Sequence, residues 1–225
     1  MIVTLAFDVY GTLIDTQGVL TELEKHVGDS APEFSRTWRA KQLEYSFRRG
    51  LMQRYEDFAR CTKDALHYTA SVMKLSFDAR VEDSILAAYN RLPSFPDVRG
   101  GLTALRHSGF RMFAFSNGLP SAVDALLSNA GIRGFFEDVV SVDEVRSFKP
   151  SPAVYRRFLE RSGATAAEAW LISSNPFDVI GAVSSGMRSA WIRRSPEVVF
   201  DPWGIDPTIT VSSLADLSER LPHEK

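Results

Sequence analysis

The sequence predicts an α/β protein: a doubly wound, Rossmann-like parallel sheet with a helical cap inserted after its first strand. Three observations predict it. Apolar runs of strand length lie at residues 2–7, 110–115, 169–172 and 189–192, with residues 139–141 as a candidate fifth. Helical segments of about ten residues separate the later runs, the rhythm of βαβ units. Residues from about 16 to 95 break that rhythm, being rich in helix formers and charges and poor in strand candidates.

The first run, Ile2-Val3-Thr4-Leu5-Ala6-Phe7, reads as a buried strand and stops at Asp8. In the insertion, Leu43, Phe47, Leu51 and Tyr55 recur at four-residue spacing, which predicts an amphipathic helical stripe. Phe58, Leu66 and Met73 suggest another helix, and Leu92-Pro93-Ser94-Phe95-Pro96 marks the return to the core. The expected division is therefore a core of residues 1–15 and 96–225 and a cap of residues 16–95. A helix over 101–108 precedes the second strand. One over 121–130 ends at Gly131, a glycine C-cap. A helix over 151–161 carries Pro152 in its first turn and ends at Gly163, and one over 176–185 ends at Gly186. The tail from residue 196 reads as a loop, a short strand at 209–211 and a closing helix. No internal repeat or low-complexity tract is present.

The bulk properties exclude several classes. With 26 basic and 28 acidic residues the net charge is −2, and neither a nucleic-acid footprint nor a membrane-binding basic patch stands out. The pairs Arg48-Arg49, Arg156-Arg157 and Arg193-Arg194 read as solvated surface. A lone cysteine, Cys61, excludes an internal disulfide framework and fits a reducing compartment; with no base adjacent in sequence it reads as packing. The N-terminus lacks the basic leader of a signal peptide, and no stretch approaches the roughly 18 apolar residues that span a bilayer. A cytoplasmic protein is expected.

Chemistry-bearing residues cluster at the ends of the predicted strands. Asp8 follows the first, where open α/β folds place their sites, and Gly11 permits a sharp turn beside it. Ser116-Asn117-Gly118 follows the second and suits an anion cradle; the plain alternative is an Asn-Gly turn. Lys149 precedes a helix, a place where lysines are ordinarily solvated. Ser173-Ser174-Asn175-Pro176-Phe177-Asp178 follows the fourth run, and helix capping by Ser174 or Asn175, with Asp178 in the first turn, is the plain reading.

Taken together, Asp8, Ser116, Lys149 and Asp178 occur in the order and contexts of the four motifs of the haloacid dehalogenase (HAD) superfamily, which the chain resembles over nearly its whole length. The departures select a reaction. Phosphatases of that superfamily carry a second Asp two residues after the first, to protonate the leaving alkoxide. This chain has Tyr10 there, and a free tyrosine has a pKa of about 10. The acidic residue that usually helps hold Mg²⁺ after the fourth strand is replaced by Ser173, Ser174 and Asn175. A halide leaving group needs neither proton nor metal, so the pattern resembles the L-2-haloacid dehalogenase family, with no metal and no cofactor expected. Two cap segments strengthen the resemblance. Trp38-Arg39-Ala40-Lys41-Gln42-Leu43-Glu44-Tyr45 resembles the stretch with the family's halide-binding arginine, which falls on Arg39. Leu51-Met52-Gln53-Arg54-Tyr55-Glu56-Asp57-Phe58 resembles the next, whose pocket aromatic falls on Phe58. Pro176 and Phe177 depart from the family's usual small residue and tryptophan.

The resemblance implies that Asp8 displaces the halide of a short 2-haloalkanoate with inversion, and that water then hydrolyses the aspartyl ester to a 2-hydroxy acid. Lys149 would hold Asp8 ionised and Thr12 would orient it. Ser116 and nearby backbone amides would bind the substrate carboxylate; Arg39 and Asn117 would receive the halide. Tyr10, Leu43, Phe58 and Phe177 would form an apolar wall. Ser173, Asn175 and Asp178 would orient Lys149 and the hydrolytic water, with Asp178 the candidate base. A homodimer is expected. The competing readings are a Mg²⁺-dependent phosphatase with a degenerate motif and a non-catalytic binding module on the same fold.

Overall fold

A computed structural model of the chain describes residues 3–222; Ile2, which opens the expected first strand, and residues 223–225 of the tail lie outside them. Six parallel strands form one sheet: β1 (Thr4–Phe7), β2 (Arg111–Ser116), β3 (Val139–Ser141), β4 (Ala169–Ser173), β5 (Arg188–Ile192) and β6 (Ile209–Val211). Their order is β3-β2-β1-β4-β5-β6, every neighbouring pair parallel. Every residue of β1 and β4 is buried, as expected for strands covered on both faces. The strand order reverses at β1, and the carboxyl ends beside it form the crevice where such sheets carry their sites. Phe7 pairs with both Ala114 and Ile172, so Asp8, Ser116 and Ser173 emerge side by side.

Between β1 and β2 the chain is helical: α1 (Leu20–Val27), α2 (Ala31–Leu51), α3 (Phe58–Val72) and α4 (Ala79–Tyr89), followed by α5 (Val98–His107). Asp57 and Asp78 cap α3 and α4, accepting from the amides of Arg60 and Val81. The expected stripe on α2 is corrected. Its buried face carries Phe34, Trp38, Gln42 and Ser46, whereas Leu43 and Phe47 are half-buried, Leu51 is 86% exposed and Tyr55 lies past the helix end. That face is half polar because Gln42 and Ser46 have internal hydrogen-bond partners, so apolar periodicity pointed one residue aside.

The remaining helices, α6 (Pro120–Asn129), α7 (Pro152–Ser162), α8 (Pro176–Ser184) and α9 (Leu217–Arg220), follow the predicted order. Prolines open α6, α7 and α8, where their missing N–H costs no hydrogen bond. Gly181 matters to the site: a Cβ there would stand 2.4 Å from the Tyr155 hydroxyl and 2.7 Å from Pro150, so only glycine lets α8 approach α7 this closely. Among the described residues, no helix is long and apolar enough to cross a membrane.

Candidate active site

Asp8 leaves β1 with its amide bound to the Ile172 carbonyl at 3.0 Å, and the chain then turns through Gly11 at φ +85°, a conformation L side chains rarely adopt. The two carboxylate oxygens have unequal surroundings. Oδ2 accepts from Thr12 Oγ1 at 2.8 Å, Asn175 Nδ2 at 2.7 Å and Ser173 Oγ at 3.2 Å. Oδ1 accepts from Lys149 Nζ at 3.2 Å.

Lys149 is 1% exposed, contrary to the ordinary expectation for a lysine before a helix. Its ammonium donates to Asp178 Oδ2 at 2.8 Å and to the Phe115 carbonyl at 2.9 Å as well as to Asp8. Asp178 is fully buried and takes a further bond from Tyr155 Oη at 2.8 Å. Burial pushes its carboxyl up to about 6; Lys149 opposes that rise and the Asp8 carboxylate adds to it.

The capping reading of residues 174–178 holds for position, with Asn175 at the N-cap and Asp178 in the first turn, but not for the cap hydrogen bond. Asn175 is the N-cap residue of α8, yet its side chain makes no cap and turns instead to Asp8 and the Tyr10 carbonyl. Ser174 donates its amide to Thr12 Oγ1 at 2.8 Å, while its own buried hydroxyl lacks a partner among the described residues. Ser116 Oγ accepts from the Gly118 amide, and Asn117 Oδ1 accepts from the Lys149 amide at 3.1 Å. Asn117 therefore keeps its Nδ2 as a side-chain donor for a ligand.

Arg39, on α2, is half-buried and donates to Gln42 Oε1 and the Tyr10 carbonyl. The expected apolar wall divides. Tyr10 and Phe58 meet at 5.7 Å between ring centroids and help line a cavity of about 370 Å³ with Leu86, Tyr89, Leu119 and Ala122. Phe177 packs instead against Phe47 at 5.0 Å, and Leu43 is half-buried one turn before Phe47 on α2. Burial, with neighbouring Tyr89, pushes the Tyr10 phenol far above its usual range, so it is a poor proton donor.

These residues do not suit a hard divalent cation. Such an ion takes several oxygen ligands, chiefly carboxylates. Here Asp178 is committed to Lys149 and Tyr155, and an ammonium stands between the two carboxylates. The positive charge of the site is built into the chain.

The sequence profile of the haloacid dehalogenase-like hydrolases matches residues 2–186. The chain belongs to that family. Within it, the chain is 40% identical over 207 residues to haloacetate dehalogenase H-2 of Moraxella sp. (strain B), covering 92% of each protein. It is 37% identical over 215 residues to an (S)-2-haloacid dehalogenase of Pseudomonas sp. (strain YL), covering 96% of this chain and 92% of that one. Its fold matches that of the L-2-haloacid dehalogenase of Xanthobacter autotrophicus with chloropropionic acid covalently bound. The TM-score is 0.92 at 34% identity, over 97% and 98% of the two chains.

This hydrolase also holds its site with residues that the sequence did not single out. Tyr155, on α7, reaches Asp178 on α8. Arg194, expected at the surface, is half-buried: it donates to the Thr12 carbonyl, pairs with Asp97 at 2.9 Å and lies 3.8 Å from the Phe95 ring centroid. Cys61 is buried, and burial pushes its thiol up to about 11, consistent with packing.

Proposed function

We propose that this protein is an (S)-2-haloacid dehalogenase that hydrolyses short L-2-haloalkanoates or haloacetates to 2-hydroxy acids without a metal or other cofactor. The observation that carries the reading is the asymmetry around Asp8. Three neutral donors fix Oδ2, while among the described residues only the Lys149 ammonium meets Oδ1. Oδ1 is thus the less encumbered nucleophile. It forms a C–O bond at the halogen-bearing carbon from the back, and the halide leaves with the bonding pair. The centre inverts and an aspartyl ester remains. Oδ2 is then the ester carbonyl oxygen, and Thr12, Ser173 and Asn175 form the donor set that stabilises negative charge on it when water adds to Cγ. Asp178 takes one proton of the water and returns it to the departing product oxygen, which began as Oδ1; the other proton stays on the regenerated Asp8 carboxyl and is released to solvent.

The other roles follow the same chemistry. Lys149 offsets the repulsion between anionic nucleophile and anionic substrate. Ser116 and backbone amides near it bind the carboxylate, and Arg39 and Asn117 receive the halide. Tyr10 and Phe58, which meet in one cavity, enclose the alkyl group. We assign residues 1–15 and 96–225 to the core domain and 16–95 to the cap. A homodimer is in keeping with the exposed Leu51 and Met52 at the end of α2, and a reducing cytoplasm with the single free thiol.

The deciding test is halide release from each enantiomer of 2-chloropropionate, with chloroacetate alongside, in excess EDTA. Release from the L form and from chloroacetate, but not from the D form, is expected. No release, together with Mg²⁺-dependent liberation of phosphate from phosphoesters, would overturn the assignment.

A pH dependence follows from Asp178. A general base works ionised, and this carboxyl takes up its proton below about pH 6. The hydrolytic rate should therefore be level above pH 6 and fall about tenfold per unit below it. A single-turnover profile flat down to pH 4.5 would remove Asp178 from the base role.

A further inference from the structure

We infer that Gln42 is a positioning residue for Arg39: it holds the guanidinium in place without neutralising it, leaving the whole charge for the departing halide. The inference rests on the dehalogenase reading and adds to it a residue outside the reacting shell.

Gln42 is 1% exposed on the inner face of α2, and each polar atom of its side chain is committed. Thr62 Oγ1 donates its single proton to the Phe58 carbonyl at 2.7 Å. It can therefore only accept from Gln42, whose Nε2 stands 2.6 Å away. That settles which way the amide faces: nitrogen toward Thr62, Oε1 toward Arg39. Oε1 accepts from Arg39 Nη1 at 2.7 Å and from Tyr89 Oη at 3.2 Å. Tyr89 is itself fixed, stacked on Tyr10 at 14° and packed 5.1 Å from Trp38, whose indole donates to the Thr62 carbonyl.

The charge balance gives this network its meaning. Arg39 donates to the Gln42 amide oxygen and, at 3.3 Å, to the Tyr10 carbonyl. Both acceptors are neutral, and among the described residues no carboxylate pairs with Arg39. Other arginines of the chain, such as Arg49, Arg111, Arg157 and Arg194, do pair with carboxylates. A glutamate at position 42 would have the same shape but would cancel the guanidinium charge. An aliphatic residue would leave the charge intact and free to swing. Glutamine gives orientation with the charge retained, as preorganised stabilisation of a developing anion requires.

The test compares the wild type with Gln42→Glu, Thr62→Val and Thr62→Ser. Turnover of L-2-chloropropionate and inhibition by bromide are measured, with circular dichroism as a check on folding. Gln42→Glu should lower kcat about 100-fold or more with a much smaller change in KM, and weaken bromide inhibition about tenfold or more. Thr62→Val, which frees the amide to turn over, should move both in the same direction, and Thr62→Ser should restore them. A merely structural role would leave bromide inhibition unmoved. An active wild type with Gln42→Glu equal to it in kcat and bromide inhibition would overturn the inference and leave the dehalogenase reading standing. Were Gln42→Glu not to fold, equal bromide inhibition in the two Thr62 variants would overturn it instead. A wild type that releases no halide would overturn the dehalogenase reading and this inference with it.

Discussion

Asp8→Asn should abolish halide release, lowering turnover by about 10⁵-fold or more, while the variant folds as the wild type does. The substitution changes little except nucleophilicity. An amide oxygen can remain where Oδ2 now accepts from Thr12, Ser173 and Asn175. The amide nitrogen would then face Lys149, which loses one acceptor but keeps Asp178 and the Phe115 carbonyl. The lost activity is thus attributable to chemistry rather than to collapse of the site, and circular dichroism with thermal unfolding checks that separation. A companion measurement uses wild-type enzyme in heavy-oxygen water under single-turnover conditions. The first turnover should place label in the Asp8 side chain and leave the hydroxy acid unlabelled, because the product takes an original carboxylate oxygen. Immediate labelling of the product would mean direct attack by water, and turnover retained by Asp8→Asn would remove the nucleophile assignment.

The strands and the residues at their ends were legible because both signals are local. Leu5, Ala6 and Phe7, or Ala169 through Ile172, can only be comfortable with both faces covered, and the polar residue that ends each run has little choice but the sheet's carboxyl edge. The motif order then placed Asp8, Lys149 and Asp178 together, although nothing local about Lys149 distinguishes it from a solvated lysine. What escaped were contacts made between elements. Tyr155 and Arg194 look like an ordinary helix tyrosine and a surface arginine, and act on residues 23 and 182 positions away. On α2 the apolar rule misled outright: Gln42 and Ser46 are buried because partners on other turns and helices satisfy them, while Leu51, past the last covered turn, is exposed. Buried polar networks erase the contrast that hydrophobic periodicity reads.

Lys149→Met should destroy activity and also destabilise the protein in a pH-dependent way. Methionine nearly matches the lysine stem in length but carries no charge. In the native protein the ammonium stands 3.2 Å from Asp8 and 2.8 Å from Asp178, both carboxyls buried. Without it, two like charges would remain out of water with no counter-charge. Removing one partner of such a buried set costs about 3–5 kcal/mol. The protein can lessen that cost by protonating a carboxyl, so the pair titrates as a unit with at least one affinity raised. Catalysis is lost either way: a protonated Asp8 is no nucleophile, and an ionised pair repels an anionic substrate. The sign for stability follows from proton linkage. A carboxyl whose folded pKa lies above its unfolded value binds more protons native than unfolded, so the native state weakens as pH rises through that window. Urea unfolding of Lys149→Met should therefore show its smallest deficit against wild type near pH 5 and its largest near pH 8. A deficit independent of pH would indicate lost packing rather than lost charge, and would undercut the view that this lysine supplies the cation on which the site depends.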